Sequence, residues 1–199
     1  ERTNKYLVEH GFSTSFFHGG LEQKEREAAL YRFSNGSANI LVSTDLASRG
    51  LDIPDIDNIV HYHMPESEDG YIHRVGRTAR WEAQGRAFFL LGPEEHIPEY
   101  VDADVEDYEM PSEDELPAPA KPKMATIYIG KGKKDKISKG DILGFLCKKG
   151  GLQSSEIGKI DVNDRYAYAA IARPKLRSVL NQVRGEKIKG VKTIVEEVR

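Results

Sequence analysis

Long apolar runs, cysteine and metal-ligand clusters are the scarce features of this 199-residue chain. Apolar runs such as Ala87–Leu91 fall far short of the roughly 20 residues a bilayer-spanning helix needs. The opening Glu1-Arg2-Thr3-Asn4-Lys5 lacks the apolar core of a secretory leader. Cys147 stands alone, which excludes an internal disulfide framework and fits a reducing cytoplasm. No Cys/His group has zinc-site spacing. These absences lead us to expect a soluble cytoplasmic protein with no membrane contact, no disulfide partner and no structural metal.

What is present is charge, unevenly spread. The formal net charge of −3 conceals three regimes. Residues 1–92 carry 10 basic and 13 acidic side chains, residues 93–122 carry 1 and 11, and residues 123–199 carry 18 and 8. A basic tail behind an acidic connector points to a nucleic-acid partner. The connector also holds six of the nine prolines and the acidic run Asp102–Glu115, a composition that cannot build a core. It reads as a linker, with room for a short helix after Glu94.

Residues 1–92 alternate helical and strand-like patterns. The strand-like pieces are Thr14–Phe17, Asn39–Thr44, Asn58–His63 and Arg86–Leu91. Helical pieces lie at Arg2–His10, Gln23–Phe33 and Tyr71 to about Arg77. Near-continuous apolar strands separated by helices predict an α/β domain, a parallel sheet with helices on both faces. Because the pattern opens inside a helix, the reading expects at least one strand upstream. Residues 123–199 follow another rhythm. Thr126–Gly130, Ile157–Val162, Tyr166–Ile171 and Val191–Val198 are strand-like. Ser138 is placed to cap a helix ending at Gly150-Gly151, and Pro174 to open a second. The order β-α-β-β-α-β predicts an α+β sandwich.

Three segments in the first part carry chemistry. His73-Arg74-Val75-Gly76-Arg77-Thr78-Ala79-Arg80 holds too many cations to hide in a core. Arginines three apart share one side of a helix, where guanidinium forks suit phosphate oxygens. A solvated, ion-paired basic face is the plainer alternative. Ser43-Thr44-Asp45-Leu46-Ala47-Ser48-Arg49-Gly50-Leu51-Asp52 follows a predicted buried strand, where parallel sheets place their ligand loops. Taken alone, such a segment is more commonly an ordinary loop with Asp and Ser as turn residues. His18-Gly19-Gly20-Leu21-Glu22-Gln23-Lys24-Glu25-Arg26 joins a strand end to a helix start, whose free N–H groups suit phosphate.

Together, in order, spacing and wording, these segments resemble the C-terminal RecA-like domain of DEAD-box RNA helicases over about residues 1–92. The resemblance implies roles. Arg77 and Arg80 would approach ATP phosphates across an interdomain cleft, Arg80 as the arginine finger. His73 and Arg74 would couple ATP and RNA states. Asp52 would meet the ribose, and Arg49 would make an interdomain contact. Gly20, Gln23, Arg26, Thr44 and Gly50 would meet the RNA backbone. Ala79 stands where that family usually has glycine. The sequence has no G-x-x-x-x-G-K-[ST] loop and no D-E-A-D stretch, so the phosphate cradle and the Mg²⁺ ligands are expected in a first RecA-like domain outside it. This chain alone is expected not to hydrolyse ATP.

Residues 123–199 look like the DbpA-type RNA-binding domain of some bacterial DEAD-box proteins, on GKKDKISKGDILGFL and IGKIDV. RNA, structured and possibly ribosomal in that family, is the implied partner. Lys131, Lys133, Lys134 and Lys136 are candidate phosphate contacts, joined by Lys139, Lys148 and Lys149. Ile127-Tyr128-Ile129-Gly130 is similar to the RNP2 pattern of an RRM. In the RNP1-like stretch Asp164 and Arg165 replace the usual basic residue and glycine. Tyr128, Tyr166 and Tyr168 are therefore either base-stacking residues or sheet packing. Two rival functions remain at this stage: a non-catalytic RNA-binding adaptor and a DNA helicase.

Overall fold

The computed structural model describes residues 1–45, 53, 56–78, 85–102 and 104–199. Its contacts group into two units. One comprises Glu1–Phe16, Leu21–Val42 and Pro119–Arg199; the other comprises Phe17–Gly20 and Ser43–Ala118.

The first unit is organised by strand alternation. Strands β5 (Met124–Ile129), β6 (Ile157–Val162), β7 (Ala167–Ala172) and β10 (Val195–Glu197) form one antiparallel sheet in the order β10-β5-β7-β6. Successive side chains leave a strand on opposite faces. Ile127, Ile129, Ala167, Ala169 and Ile171 thus share one face and enter the core with Ile142, Phe145, Leu146, Val179 and Val183. The last five come from helices α4 (Lys139–Lys148) and α5 (Leu176–Gln182) and from Val183, the C-cap of α5. Ser138 starts α4 as its N-cap, in a reciprocal box with Asp141. Pro174 opens a 3₁₀ turn, Arg173–Lys175, that runs into α5.

The order β-α-β-β-α-β holds with one correction. The single last strand expected over Val191–Val198 is broken. Val191–Lys192 (β9) pairs back on Lys187–Ile188 (β8), and only Val195–Glu197 joins the sheet. Lys189 and Gly190 turn that hairpin at φ 49° and 78°, the left-handed region favoured in such turns.

The same unit contains helices α1 (Arg2–Glu9) and α2 (Gln23–Ser34), the body of strand β1 (Thr14–Phe17), and most of strand β2 (Ile40–Ser43), which pairs with it. At the start of α2 the Glu25 carboxylate accepts from the Glu22 N–H at 2.9 Å.

In the second unit β3 (Asn58–His61) and β4 (Arg86–Phe89) pair in parallel, with His61 opposite Phe89. Helix α3 (Glu68–Val75) begins three residues before the predicted Tyr71, because Ser67 accepts the Gly70 N–H as N-cap. These elements are the mixed α/β class expected. The acidic connector shows a single 3₁₀ turn, Glu113–Glu115, among its described residues. After Glu94 there is a turn rather than a helix. Among the described residues no helix is long and apolar enough to cross a membrane.

Candidate nucleotide and nucleic-acid interfaces

In the second unit Arg74 ties two of the sequence motifs together. Its Nε and Nη2 lie 2.6 Å from the two carboxylate oxygens of Asp45, a bidentate clasp. Its Nη1 donates to the His63 carbonyl at 2.7 Å and lies 3.1 Å from Nδ1 of His61. His61 is buried, 1% exposed, and its ring stacks on Phe89 with centroids 4.6 Å apart. Its Nε2 is buried without a hydrogen-bond partner. Burial first, and then the Arg74 cation, pull the His61 pKa down to about 4. A neutral imidazole that accepts from Arg74 is the species this packing holds.

Acid stability follows from that arrangement. The unfolded chain has an ordinary histidine pKa of about 6.5, so between about pH 6.5 and 4 it binds more protons than the folded one. The stabilisation is complete above about pH 6.5 and is lost as pH falls through about 4. Going from pH 7 to 4.5 is expected to cost this unit about 2–3 kcal/mol. In His61→Asn most of that loss disappears, as urea titrations at the two pH values will show.

Arg77 follows α3 and is half-buried, and its carbonyl accepts from the Ile56 N–H at 3.4 Å. His73 is exposed, with Nδ1 2.8 Å from the Asp69 carbonyl and 3.3 Å from its carboxylate. Thr44 is exposed. Gly20 is exposed, and its N–H donates to His18 Nδ1. Arg49, Gly50, Asp52, Ala79 and Arg80 lie outside the described residues. Among the described residues no group of three or more His, Cys, Asp or Glu is placed to hold a metal ion. His61 carries no sequence signal beyond its place at a strand end.

In the first unit the lysine segment is a fixed loop. Lys133 and Lys134 donate their N–H groups to the carbonyls of Asn163 and Asp164, each at 2.9 Å. A Cβ on Gly132 would sit 2.2 Å from the Asn163 carbonyl oxygen, so only glycine permits this approach. Lys136 takes the left-handed conformation, φ 58°, and Lys189 Nζ holds its carbonyl at 2.9 Å. Lys133, Lys134 and Lys136 stay exposed, as does Arg165 in the receiving turn. Lys131 and Lys134 lie 3.8 and 4.0 Å from Asp135 and Asp164, weak ion pairs that leave the surface cationic. Lys148 and Lys149 are exposed, but Lys149 is engaged by Glu186 at 2.8 Å. Arg165 and Lys189 carry no local signal for this placement, which depends on the Asn163–Tyr166 turn and the Lys189–Gly190 turn meeting the lysine loop.

The opposite face of the sheet is covered. Tyr128 and Tyr168 are cross-strand partners, and Tyr166 stacks on Tyr128 at 5.8 Å. Helix α2 lies over them. Tyr31 stacks on Tyr168 at 5.2 Å and donates to the Lys159 carbonyl. Lys24 Nζ is 4.7 Å from the Tyr128 ring centre. Glu27 accepts from the Tyr166 hydroxyl at 2.7 Å, and that bond, with one from Gln23, holds its carboxyl below the usual range. Burial and the Glu27 bond push the Tyr166 phenol up. Asn35 and Ser37 close the edge through Thr126, each at 2.8 Å. Gln23 and Arg26, at the start of α2, bond to each other at 2.8 Å.

Comparison with known proteins places names beside this geometry. The family "Helicase conserved C-terminal domain" matches residues 1–82, and the family "DbpA RNA binding domain" matches residues 126–197. The ATP-dependent RNA helicase DbpA of Escherichia coli (strain K12) is 38% identical over 188 residues, covering 92% of this chain and 41% of the relative. The ATP-dependent RNA helicase DbpA of Bacillus subtilis (strain 168) is 30% identical over 211 residues, covering 92% and 44%. DEAD-box ATP-dependent RNA helicase 49 of Arabidopsis thaliana is 54% identical over 85 residues, covering 42% and 15%. The chain spans less than half the length of each of these relatives.

Proposed function

Because this chain belongs to the DEAD-box RNA helicases with a DbpA-type RNA-binding domain, we propose that it is the C-terminal part of an ATP-dependent enzyme that unwinds or remodels structured RNA, ribosomal RNA among the candidate targets. The observation that carries the reading is the Arg74–Asp45 clasp, which joins the two most specific motif segments in one place. In this reading Arg77 and Arg80 complete an ATP site, with His73 and Arg74 relating its state to bound RNA. Asp52 meets the ribose and Arg49 the neighbouring domain. The first RecA-like domain of the same protein supplies the phosphate loop and the Mg²⁺ ligands. Gly20, Gln23, Arg26, Thr44 and Gly50 contact RNA backbone. The functional boundaries we adopt are 1–92, 93–122 and 123–199, and the compartment is the cytoplasm.

RNA anchoring falls to the lysine loop, because it is rigid, exposed and cationic. Backbone contacts release counterions, so affinity falls steeply with salt. Replacing Lys133, Lys134 and Lys136 together by glutamine is expected to make the slope of log affinity against log salt shallower by about 2 for single-stranded RNA. Filter binding across a salt series measures it, and an unchanged slope removes the loop from the interface. RNA-stimulated ATP hydrolysis by the longer protein, absent from this chain alone, tests the enzyme assignment. An adaptor would show no such turnover at any length.

A further inference from the structure

The tyrosine face of the sheet and the start of helix α2 are linked by a continuous run of hydrogen bonds. Arg26 Nη2 donates to Gln23 Oε1 at 2.8 Å, Gln23 Nε2 donates to Glu27 Oε1 at 3.0 Å, and Tyr166 donates to Glu27 Oε2 at 2.7 Å. One end of this run holds two groups that the functional reading assigns to RNA backbone. The other end is a ring it assigns to base stacking.

Stacking needs an open ring face. Here Tyr168 is 3% exposed beneath Tyr31, and the Lys24 ammonium lies 4.7 and 5.6 Å from the ring centres of Tyr128 and Tyr166. A base cannot occupy that space while α2 is docked.

We propose that helix α2 and the bases of single-stranded RNA compete for this sheet face, and that phosphate binding at Gln23 and Arg26 loosens the helix through Glu27. A phosphate oxygen that draws the Gln23 amide and the Arg26 guanidinium takes Gln23 away from Glu27. Glu27 then loses the amide that holds its carboxylate in place for Tyr166, the bond by which it ties α2 to the sheet. Coupling of this kind is reciprocal: RNA stacked on the tyrosines frees Gln23 and Arg26 for phosphate. The acidic Glu27 itself repels RNA from the covered face. The inference rests on the reading that both places bind RNA, and it adds the order in which they become available.

The test uses this 199-residue chain and a short, fluorescently labelled oligouridylate. Glu27→Ala removes the link, and Tyr31→Ala removes the ring that covers Tyr168. Each is expected to tighten binding about tenfold, the worth of one charge-assisted or ring contact. Adding Tyr128→Ala and Tyr166→Ala is expected to abolish the gain. Hydrogen exchange in the amides of α2 is expected to speed up when the oligouridylate binds the unaltered protein. If the tyrosine pair matters but Glu27→Ala and Tyr31→Ala change nothing, the competition is wrong while the RNA-binding reading stands. If the Glu27→Ala gain survives loss of both tyrosines, it is a charge effect and the competition is again wrong. If the tyrosines matter in no background, the face does not bind bases, and that reading falls together with the inference.

Discussion

Alanine at Gly132 is expected to destabilise the C-terminal sandwich by about 3 kcal/mol or more. The added Cβ would meet the Asn163 oxygen at 2.2 Å, the Tyr166 nitrogen at 2.7 Å and the Asp164 carbonyl carbon at 2.8 Å, all of them backbone. None can swing aside as a side chain would. Asn163 is held on both sides, donating to the Tyr166 carbonyl at 2.8 Å and accepting from the Lys133 N–H at 2.9 Å. Relief therefore means parting the lysine loop from its turn. The melting temperature is expected to drop by roughly 12–24 °C for a domain of this size, and RNA affinity to fall with it. Gly144 provides the opposite case. It lies within α4, and an added Cβ would meet nothing within 4 Å. Alanine there is expected to stabilise by up to about 1 kcal/mol, through helix propensity alone. Thermal melts of the two variants, taken side by side, check both signs.

Loss of Arg80 is expected to be the most damaging change to activity in the longer protein. A guanidinium that stabilises charge on a transferring phosphoryl group is worth about 10³-fold or more in turnover. Arg80→Ala should therefore lower RNA-stimulated ATP hydrolysis by at least about that factor. Arg80→Lys should restore little, since an ammonium cannot reproduce the planar fork. RNA anchoring by residues 123–199 should persist in both variants, because the lysine loop is built from other residues. Turnover assays and salt-series binding on the same preparations separate the two effects. Near-normal turnover of Arg80→Ala would remove the finger role.

Much of this is legible in the sequence alone. The capping residues Ser138 and Pro174 announced the starts of two helical segments, because a helix end has N–H groups that only certain residues satisfy. Alternation along β5 and β7 announced the sheet. The motif wording announced the family, and the lysine cluster announced an exposed cationic loop. Other features depend on pairs of residues far apart in the chain. Tyr31 and Tyr168, 137 positions apart, show no local pattern that would bring them together, so the cover over the tyrosine face was invisible. The sequence left those tyrosines divided between stacking and packing, and in the structure they pack beneath the docked helix. Asp164 and Arg165 looked like defects in an RNA-binding pattern. The fold uses that turn to receive the lysine loop. The break in the last strand turns on Lys189 and Gly190, where a local hairpin outcompetes continued extension. His61 stayed hidden because a lone histidine at a strand end looks the same whether it faces water or an arginine.

The proposed account turns on one geometric claim: the guanidinium groups after α3 complete a nucleotide site whose other wall belongs to an upstream domain. A crystal structure of the longer protein with RNA and a non-hydrolysable ATP analogue measures this directly. The account predicts guanidinium nitrogens of Arg77 and Arg80 at charge-assisted hydrogen-bond distance, about 2.7–2.9 Å, from oxygens of the nucleotide phosphates. A closed complex in which both side chains lie beyond about 6 Å, too far for any direct bond, would contradict it.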